Sequence, residues 1–508
     1  MRFLRTKTDF EAGIGAVSSG SREATLVGID ILSNGGNAAD AATACAFSLM
    51  ITDPANASPA GRCQIIYGSR SSEPRAIDGT TVAPRFFYAE KGHKPIPIPG
   101  AVSALIAFQR KNGQLPLSTI IDPVLQIARK GFVVGREQAA LWSWREPELR
   151  GTVLENVFLP KGYAPKQGET FVNYGLFQFF KTLKKIRGDP FKNPQFAASL
   201  LRRMQDKGIS WNLAETLINQ TQEGQVIMRN FNEFKVWTVG KQGWGHTMLD
   251  ILDNYFKCSW EGVPAKELKL AFSTALSLLR RLEAEKGNSE EFYWSNIETA
   301  KILRQKISIN ILTELIEAYE SKHLQTLETE QDRDTTALAV CDSSGNLVSI
   351  TQSIGPHFGS RIMDEETGIV FAHSYQMAEN FIPLRRDVTE LCPSIVEIGL
   401  KMFAMGAAGS ERIPGAVAAV ISHLVGGKSL EEAVNEPRVN FTKTLLRAHN
   451  DLRPFFVKYD IKMPLKIEFS DRGPINHLGI IHAVGHSSEG SFEAAADPAY
   501  SGLGQVFG

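Results

Sequence analysis

Three consecutive residues, Asp334-Thr335-Thr336, place two hydroxyl groups where a charged segment ends and an apolar one begins. The preceding run, QTLETEQDRD (325–334), is typical of an exposed loop, and TTALAVCD after it predicts a strand. A threonine that starts a strand becomes a nucleophile if the chain is cut just before it, because its new α-amine then serves as the base for its own hydroxyl. Most threonines at strand starts are structural, so the neighbouring residues must support this chemistry.

The residues after Thr336 predict a strand, a turn and a second strand. Residues 342–346 (DSSGN) have the composition of a turn, and short apolar runs flank them on both sides. Thr351 and Ser353 follow in the second strand, two positions apart, so their side chains share one face. The pattern therefore predicts a pair of hydroxyl groups on one side of this strand.

Other elements must form the core around this hairpin. Residues 24–49 predict two helices separated by Gly35-Gly36, the second starting at Asn37 or Ala38. Residues 398–405 (IGLKMFAM) predict one strand, followed by a glycine turn and a long apolar helix. Strands paired with buried helices indicate a layered core that is α/β or α+β.

The middle of the chain, 140–330, predicts mostly helices. It contains repeated charged helical patterns, and residues 307–324 predict its last helix. The charged faces at 181–330 are explained by contact with solvent, and contacts within a homo-oligomer are an alternative.

Composition excludes several functional classes. The chain has 508 residues, with 55 Lys and Arg against 55 Asp and Glu. This zero net charge argues against a nucleic-acid-binding protein and against a polybasic membrane-binding protein. The N-terminus lacks the apolar region of a secretory signal, so a cytoplasmic location is expected.

No metal or cofactor motif is present. The five cysteines are scattered and form no CxxC pair. His482 and His486 have the spacing of a helical zinc pair, but IIHAVGH predicts a strand, where the rings would lie about 13 Å apart. We expect neither a metal site nor a cofactor.

The segment from Thr335 to Ile369 resembles the start of the small subunit in the γ-glutamyltranspeptidase family, whose members are N-terminal-nucleophile hydrolases. Further blocks resemble that family in the same order along 15–130 and 334–505. The matching segments are Thr335-Thr336, Asp342 with Gly345-Asn346, Thr351-Gln352-Ser353, Phe358-Gly359-Ser360, Thr367-Gly368-Ile369, Gly28–Ala42, Ile77–Pro84, Ile96–Leu105, Cys392–Val396, Gly406–Pro414, Asn435–Phe441 and Ala494–Pro498.

The resemblance implies a fold and a division of the chain. The fold is α+β, a four-layer αββα sandwich of two antiparallel sheets with helices on both outer faces. Residues 1–334 would form a large subunit region and residues 335–508 a small one. Both would share one core, so the two fragments would stay associated after cleavage.

The resemblance also implies the catalytic residues. Thr335 would attack the Asp334 carbonyl during self-cleavage and then act as the nucleophile towards a small-molecule amide or acyl substrate. Thr351 and Ser353 are its predicted companions, with Ser353 at the position whose hydroxyl binds the nucleophile's amine. Gly409 and Ser410 fall on the Gly-Gly pair whose N–H groups form the oxyanion hole, a role that a backbone donor retains when glycine becomes serine if the dihedral angles allow it.

The predicted substrate-binding positions depart from the family pattern. Thr80 stands where the family has the arginine that binds the γ-glutamyl carboxylate, and threonine lacks that charged fork. The amine-binding positions fall on Gln376 and on Glu379 or Asn380, and the carboxylate-binding pair falls on Thr389-Glu390. The acyl pocket is therefore expected to differ from one built for glutathione.

A replacement for the lost positive charge is available from Arg62, Arg85 or Arg361, among which the sequence does not choose.

Three functions remain open from the sequence. The first is a self-processing N-terminal-threonine amidohydrolase or acyltransferase with an altered substrate. A biosynthetic enzyme that uses the same threonine to cleave a carbon–carbon bond is the second. The third is an unprocessed homologue that acts as a binding or structural protein.

Overall fold

A computed structural model describes residues 11–12, 14–218, 221–261, 266–286, 306–308, 333–442, 445–458, 466–475 and 477–508. The strands of these residues, in chain order, are β1 (Glu11–Ala12), β2 (Gly15–Ser19), β3 (Arg62–Ser69), β4 (Ser72–Gly79), β5 (Phe132–Val133), β6 (Thr170–Phe171), β7 (Gln222–Gly224), β8 (Val226–Asn230), β9 (Phe234–Val239), β10 (Ser259–Glu261), β11 (Lys306–Ser308), β12 (Arg333–Asp342), β13 (Leu347–Pro356), β14 (Met363–Asp364), β15 (Ile369–Val370), β16 (Ser394–Ile398), β17 (Lys401–Ala408), β18 (Val439–Thr442), β19 (Leu445–His449), β20 (Lys466–Ser470), β21 (Ile480–Ser487), β22 (Ser491–Ala496) and β23 (Leu503–Phe507).

The α-helices of the same residues are α1 (Arg22–Ser33), α2 (Ala38–Thr52), α3 (Ala101–Asn112), α4 (Leu117–Lys130), α5 (Arg136–Leu149), α6 (Glu155–Phe158), α7 (Tyr174–Ile186), α8 (Pro194–Arg203), α9 (Leu213–Ile218), α10 (Gly245–Lys257), α11 (Lys266–Lys286), α12 (Tyr375–Glu379), α13 (Ile413–Val425), α14 (Leu430–Asn435) and α15 (Arg453–Lys458). Short 3-10 turns occur at Ala89–Lys91, Pro190–Lys192, Ser410–Arg412 and Asn450–Leu452.

Two seven-stranded antiparallel sheets form the centre of the molecule. The first sheet has the order β23-β2-β12-β13-β3-β4-β7, and the second has the order β1-β22-β21-β17-β16-β9-β8. The sheets are stacked, with β12 of the first against β17 and β21 of the second. Both sheets contain strands from before and from after residue 334, so neither part of the chain builds a sheet alone.

Helices cover both outer faces. Helices α1, α2 and α3 pack on the first sheet, and α10 and α13 pack on the second. Three apolar layers follow from this arrangement, one between the sheets and one beneath each set of helices. The structure therefore confirms the predicted four-layer αββα sandwich.

The N-terminal helix pair is confirmed, and its most buried member is α2. All fifteen residues of α2 are buried, because small alanine side chains let the helix lie close to β12 and β13. Its N-cap Asn37 accepts hydrogen bonds from the backbone N–H groups of Ala39 and Asp40. Asp342 adds a bond from the far end of β12, since its carboxylate accepts the Ala38 N–H at 2.8 Å.

Asp342 also closes the β12–β13 hairpin. Its carboxylate accepts the N–H groups of Ser344 at 2.9 Å and Asn346 at 3.1 Å, and Gly345 adopts φ +78° in the turn. The predicted strand, turn and strand are confirmed. The D-x-x-G-N motif thus joins the hairpin to the N-terminus of α2.

One strand prediction is wrong. Residues 398–405 do not form a single strand, because a turn at Gly399-Leu400 separates β16 from β17. Gly399 has φ +56°, a conformation that glycine adopts at little cost, and this lets the chain reverse within two residues. The glycine turn and the helix that follow β17 are present as predicted.

The middle segment contributes strands as well as helices. Helices α5 to α11 account for most of its described residues, but β7, β8 and β9 extend the two central sheets. The helix predicted at 307–324 and the loop predicted at 325–334 fall mostly on residues 309–332, which lie outside the described part of the chain. The described residues at the two ends of this range belong to β11 and β12.

Candidate functional site

Thr335 lies near the start of β12, at an irregularity in the sheet. Asp334 pairs with Gly355 and Thr336 pairs with Gln352, so Thr335 alone faces both Ser353 and Ile354 across the ladder. Such a bulge changes the direction of the strand and of its side chains, and bulges are frequent beside active sites. Thr335 is buried, with 4% of its surface exposed.

The two predicted companion hydroxyls lie on the neighbouring strand. Ser353 stands opposite Thr335, and its Oγ accepts the Gly355 N–H at 2.9 Å. Thr351 is fully buried and pairs with Ala337, one step further along the hairpin. Its hydroxyl has no hydrogen-bond partner among the described residues. The structure therefore brings Thr335, Ser353 and Thr351 together.

Gly409 and Ser410 lie between β17 and α13, in a turn that contacts β12. Gly409 has φ +125° and Ser410 has φ +54°, so the serine adopts the left-handed conformation that L-residues rarely take. A serine in this conformation costs on the order of 1–2 kcal/mol, which the surrounding fold must offset. Ser410 therefore occupies a conformation that a glycine would adopt at lower cost.

A buried ion pair supports this turn from behind. Arg438 and Asp497 form a salt bridge, and Arg438 also donates to the Gly479 carbonyl at 2.9 Å. Gly479 in turn packs at Gly409, where an added β-carbon would lie 3.2 Å from the Gly479 Cα. His477 lies on the same side of Gly409, with its ring 2.9 Å from that position. Arg438 and Asp497 lie 59 residues apart in two different family-like segments, and they thus meet behind the predicted oxyanion hole.

Thr80, at the position of the family arginine, is fully buried. Its hydroxyl donates to the Asp78 carboxylate at 2.6 Å, and its carbonyl accepts from Arg386 at 3.2 Å. Arg386 also lies 3.7 Å from Asp78. Burial lowers the pKa of Arg386, and the neighbouring Asp78 acts in the opposite direction. A guanidinium therefore contacts Thr80, but it is already balanced by a carboxylate.

Of the three arginines considered from the sequence, Arg62 lies on β3 and pairs with Ser353 across the sheet. It forms a buried salt bridge of 3.0 Å with Asp387, and its guanidinium lies 3.1 Å from where a β-carbon of Gly355 would be. Thr81 binds the same carboxylate at 2.6 Å. The Arg62 Nε has no hydrogen-bond partner among the described residues.

Arg85 and Arg361 are placed differently. The Arg85 side chain is exposed, and Arg361 forms an ion pair with Glu148. Burial and the nearby Arg145 both lower the pKa of Arg361.

The remaining predicted substrate-binding residues line a loop region next to Asp387. Gln376 lies on α12, where its side-chain oxygen accepts from Arg385 at 3.0 Å when the amide faces that guanidinium. Glu379 and Asn380 are exposed at the end of α12. Thr389 is buried and donates to the Gln242 carbonyl at 3.2 Å, and Glu390 follows it, half-buried.

Comparison with known proteins now decides the family. The sequence profile described as Gamma-glutamyltranspeptidase matches residues 24–506. The chain belongs to the gamma-glutamyltranspeptidase family. It is accordingly a hydrolase or acyltransferase of the N-terminal-nucleophile type.

Curated relatives span nearly the whole chain. A glutathione hydrolase proenzyme of Bacillus subtilis is 26% identical over 96% of this chain and 90% of its own length. The capsule biosynthesis protein CapD proenzyme of Bacillus anthracis is 23% identical over 85% of this chain and 80% of its own length. Among solved structures, cephalosporin acylase from Bacillus halodurans is similar with a TM-score of 0.81 and 20% identity, covering 100% of this chain and 98% of the acylase. This likeness confirms the fold.

Several residues of this gamma-glutamyltranspeptidase-like site were not found from the sequence. Arg386, Asp78 and His477 contact predicted site residues. Asp78 lies within the family-like segment Ile77–Pro84 but was not assigned a role there, and Arg386 and His477 lie outside the family-like segments. Their roles depend on loops that meet only in the folded chain.

Metal and membrane features give no further candidates. The described residues contain no group of three or more His, Cys, Asp or Glu side chains placed to hold a metal ion. His482 and His486 both lie on β21, as the strand prediction required. No α-helix in the described part of the chain is long and apolar enough to span a membrane.

Proposed function

We propose that this protein is a self-processing N-terminal-threonine amidohydrolase or acyltransferase that works through an acyl-enzyme on Thr335. The observation that carries the proposal is the position of Thr335 at the β12 irregularity, opposite Ser353, on a strand that contacts the turn after Gly409. The word proenzyme in the names of the Bacillus relatives supports maturation by cleavage.

Maturation begins with attack of the Thr335 Oγ on the carbonyl carbon of Asp334. The C–N bond between these residues breaks, an ester joins them, and the Thr335 nitrogen takes up the hydroxyl proton. Water then hydrolyses the ester, which releases the Asp334 carboxylate and restores the hydroxyl. Thr335 is left with a free α-amine.

Turnover repeats this chemistry on a substrate amide. The α-amine accepts the Thr335 hydroxyl proton while Oγ attacks the substrate carbonyl, and the proton passes to the departing amine. The N–H groups at Gly409-Ser410 are the donors proposed to stabilise the oxyanion, with the N-terminus of α13 directly behind them. Water or a second amine then takes the acyl group from Thr335.

The acyl pocket is proposed to differ from that of a plain γ-glutamyl enzyme. Thr80 binds Asp78 rather than presenting a charge, and Arg386 beside it is paired with the same carboxylate. Glu390 places an acid at a position that would otherwise bind a carboxylate. A γ-glutamyl group would therefore lack the anion contacts that fix it in the family.

Intact mass spectrometry of the purified protein tests the maturation step. Cleavage gives fragments of 334 and 174 residues, about 37 and 19 kDa at the mean residue mass of the chain. Thr335→Ala should remain a single chain without amidase activity, while Thr335→Ser keeps a hydroxyl and should still cleave. A Thr335→Ala variant that cleaves and turns over amides would refute the proposal.

A further inference from the structure

Two loops connect the candidate site to an apolar surface patch. The loop after β4 carries Phe86 and Tyr88, which are 61% and 39% exposed, and the loop after α12 carries Ile382 and Leu384, which are 40% and 46% exposed. These four residues are called the rim patch. Large apolar side chains exposed next to one another indicate a surface that binds something.

The rim patch is an ordered surface. The Phe86 and Tyr88 rings are parallel, with centroids 6.4 Å apart. The two loops are bonded to each other, since the Ala83 N–H donates to the Arg385 carbonyl at 2.8 Å and the Leu384 N–H donates to the Ala83 carbonyl at 3.2 Å. The loops therefore hold the patch in one arrangement before any ligand binds.

The inner ends of the same loops are linked to β13, the strand beside the nucleophile strand. The Asp387 N–H donates to the Thr81 carbonyl at 2.9 Å, and the Asp387 carboxylate binds Arg62. Arg62 lies against Gly355, the partner of Asp334 in the sheet. A continuous wall thus runs from the bond before Thr335, past the residues around Thr80, to the rim patch.

The charges along this wall are paired with one another. Asp387 binds Arg62, and Asp78 binds Thr80 and lies beside Arg386. Nearer the surface, Arg385 lies against Gln376. The wall is therefore balanced in charge around Thr80, which is fully buried, and apolar at its exposed outer end, the rim patch.

We propose that the rim patch binds the distal part of the acyl group, so that the preferred substrates are amides of extended apolar carboxylic acids. This inference rests on the proposed function, because it requires an acyl-enzyme on Thr335. It assigns specificity to Phe86, Tyr88, Ile382 and Leu384, which lie outside the catalytic residues.

A series of p-nitroanilides with straight acyl chains of increasing length tests the proposal on the full-length mature protein. Burial of each methylene on the patch should raise kcat/KM by up to about fourfold until the chain has crossed the patch. The increase in kcat/KM should come from a lower KM, since the reacting carbonyl is unchanged. γ-Glutamyl p-nitroanilide serves as the polar comparison and should be turned over less efficiently than the longer members.

The double variant Phe86→Ser with Leu384→Ser should flatten the dependence on chain length and leave turnover of the shortest anilide unchanged. Leu400→Ser is the matched control, because Leu400 is 62% exposed and lies at the opposite end of β17 from Gly409. The kcat/KM of Leu400→Ser should depend on acyl-chain length in the same way as that of the wild type.

Three outcomes would overturn the proposal. Equal kcat/KM for all chain lengths, with turnover that depends on Thr335, refutes the role of the rim patch and leaves the proposed function in place. Absence of both cleavage and Thr335-dependent turnover refutes the proposed function and this inference with it. A lower molar mass for the double variant than for the wild type, measured by light scattering, would assign the patch to a subunit interface instead.

Discussion

Replacing Arg438 by methionine probes whether the buried ion pair supports the catalytic turn. The Arg438 side chain is 2% exposed and that of Asp497 is fully buried. Besides the salt bridge, Arg438 donates to the carbonyls of Val434 at 2.8 Å and Gly479 at 2.9 Å. Arg438→Met removes all three interactions and leaves a carboxylate buried without its cation.

The expected loss of stability is large. Removing one partner of a buried ion pair costs about 3–5 kcal/mol, because the remaining charge is not compensated. Unfolding entropy is about 2.1 cal/mol/K per residue, hence about 1 kcal/mol/K for this chain of 508 residues, so the melting temperature should fall by about 3–5 °C. A second variant, Arg438→Met with Asp497→Leu, should recover most of this loss, since it leaves no buried charge.

Calorimetry should compare these variants in a Thr335→Ala background, where every sample is one uncut chain and the melting temperature does not depend on reassociation of fragments. Lys161→Met, which breaks the exposed pair with Glu169, is the control and should shift the melting temperature by less than about 1 °C. With Thr335 intact, Arg438→Met should also slow maturation, because Gly479 no longer holds Gly409 in place. A shift no larger than that of the control, or a double variant no more stable than Arg438→Met, would refute the reasoning.

Two more predictions concern groups near the nucleophile. Gly20→Ala would place a methyl group 2.7 Å from the Thr336 Oγ1 and should slow maturation measured by fragment appearance. Gly473→Ala, whose methyl group meets no atom of the described residues within 4 Å, should mature normally. Burial lowers the pKa of His482 from about 6.5 to about 4. Between these two pH values the unfolded chain binds a proton at His482 that the folded chain does not bind. The fold therefore loses stability as pH falls through that window. His482→Asn should reduce the slope of stability against pH there by up to about 1.4 kcal/mol per pH unit in denaturation titrations, and an unchanged slope would count against a buried neutral imidazole.

The parts of the fold that the sequence predicts are those with local determinants. The β12–β13 hairpin follows from a turn that Asp342 closes through its own neighbours, and α2 follows from Asn37 and a run of small residues. The strand prediction at 398–405 failed because an apolar run of residues does not reveal where the chain turns back. The positive φ of Gly399 sets the position of that turn. Strands β7 and β9 were missed because the strands that hold them in the sheets, β4 and β16, are distant in sequence.

The candidate site divides in the same way. Thr335, Ser353 and Thr351 lie on one hairpin, so sequence spacing is enough to bring them together. The placement of Thr80 between Asp78 and Arg386 could not be predicted from the sequence. Arg386 is 306 residues away from Thr80 along the chain and reaches it only after folding. Among three candidate arginines, only the folded chain shows that Arg62 lies beside Gly355.

Cleavage before Thr335 would occur inside a core that both fragments build. In the first sheet, β12 lies between β2, which precedes the bond, and β13, which follows it, and β13 is bonded in turn to β3. Separating the fragments would expose the apolar layers on both faces of that sheet, at about 25 cal/mol for each Å². We therefore expect the cut to free the Thr335 amine without freeing the strand. The hydroxyls of Ser353 and Thr351 and the Gly409-Ser410 turn would keep their places around the new N-terminus, because none of them depends on the broken bond for its position.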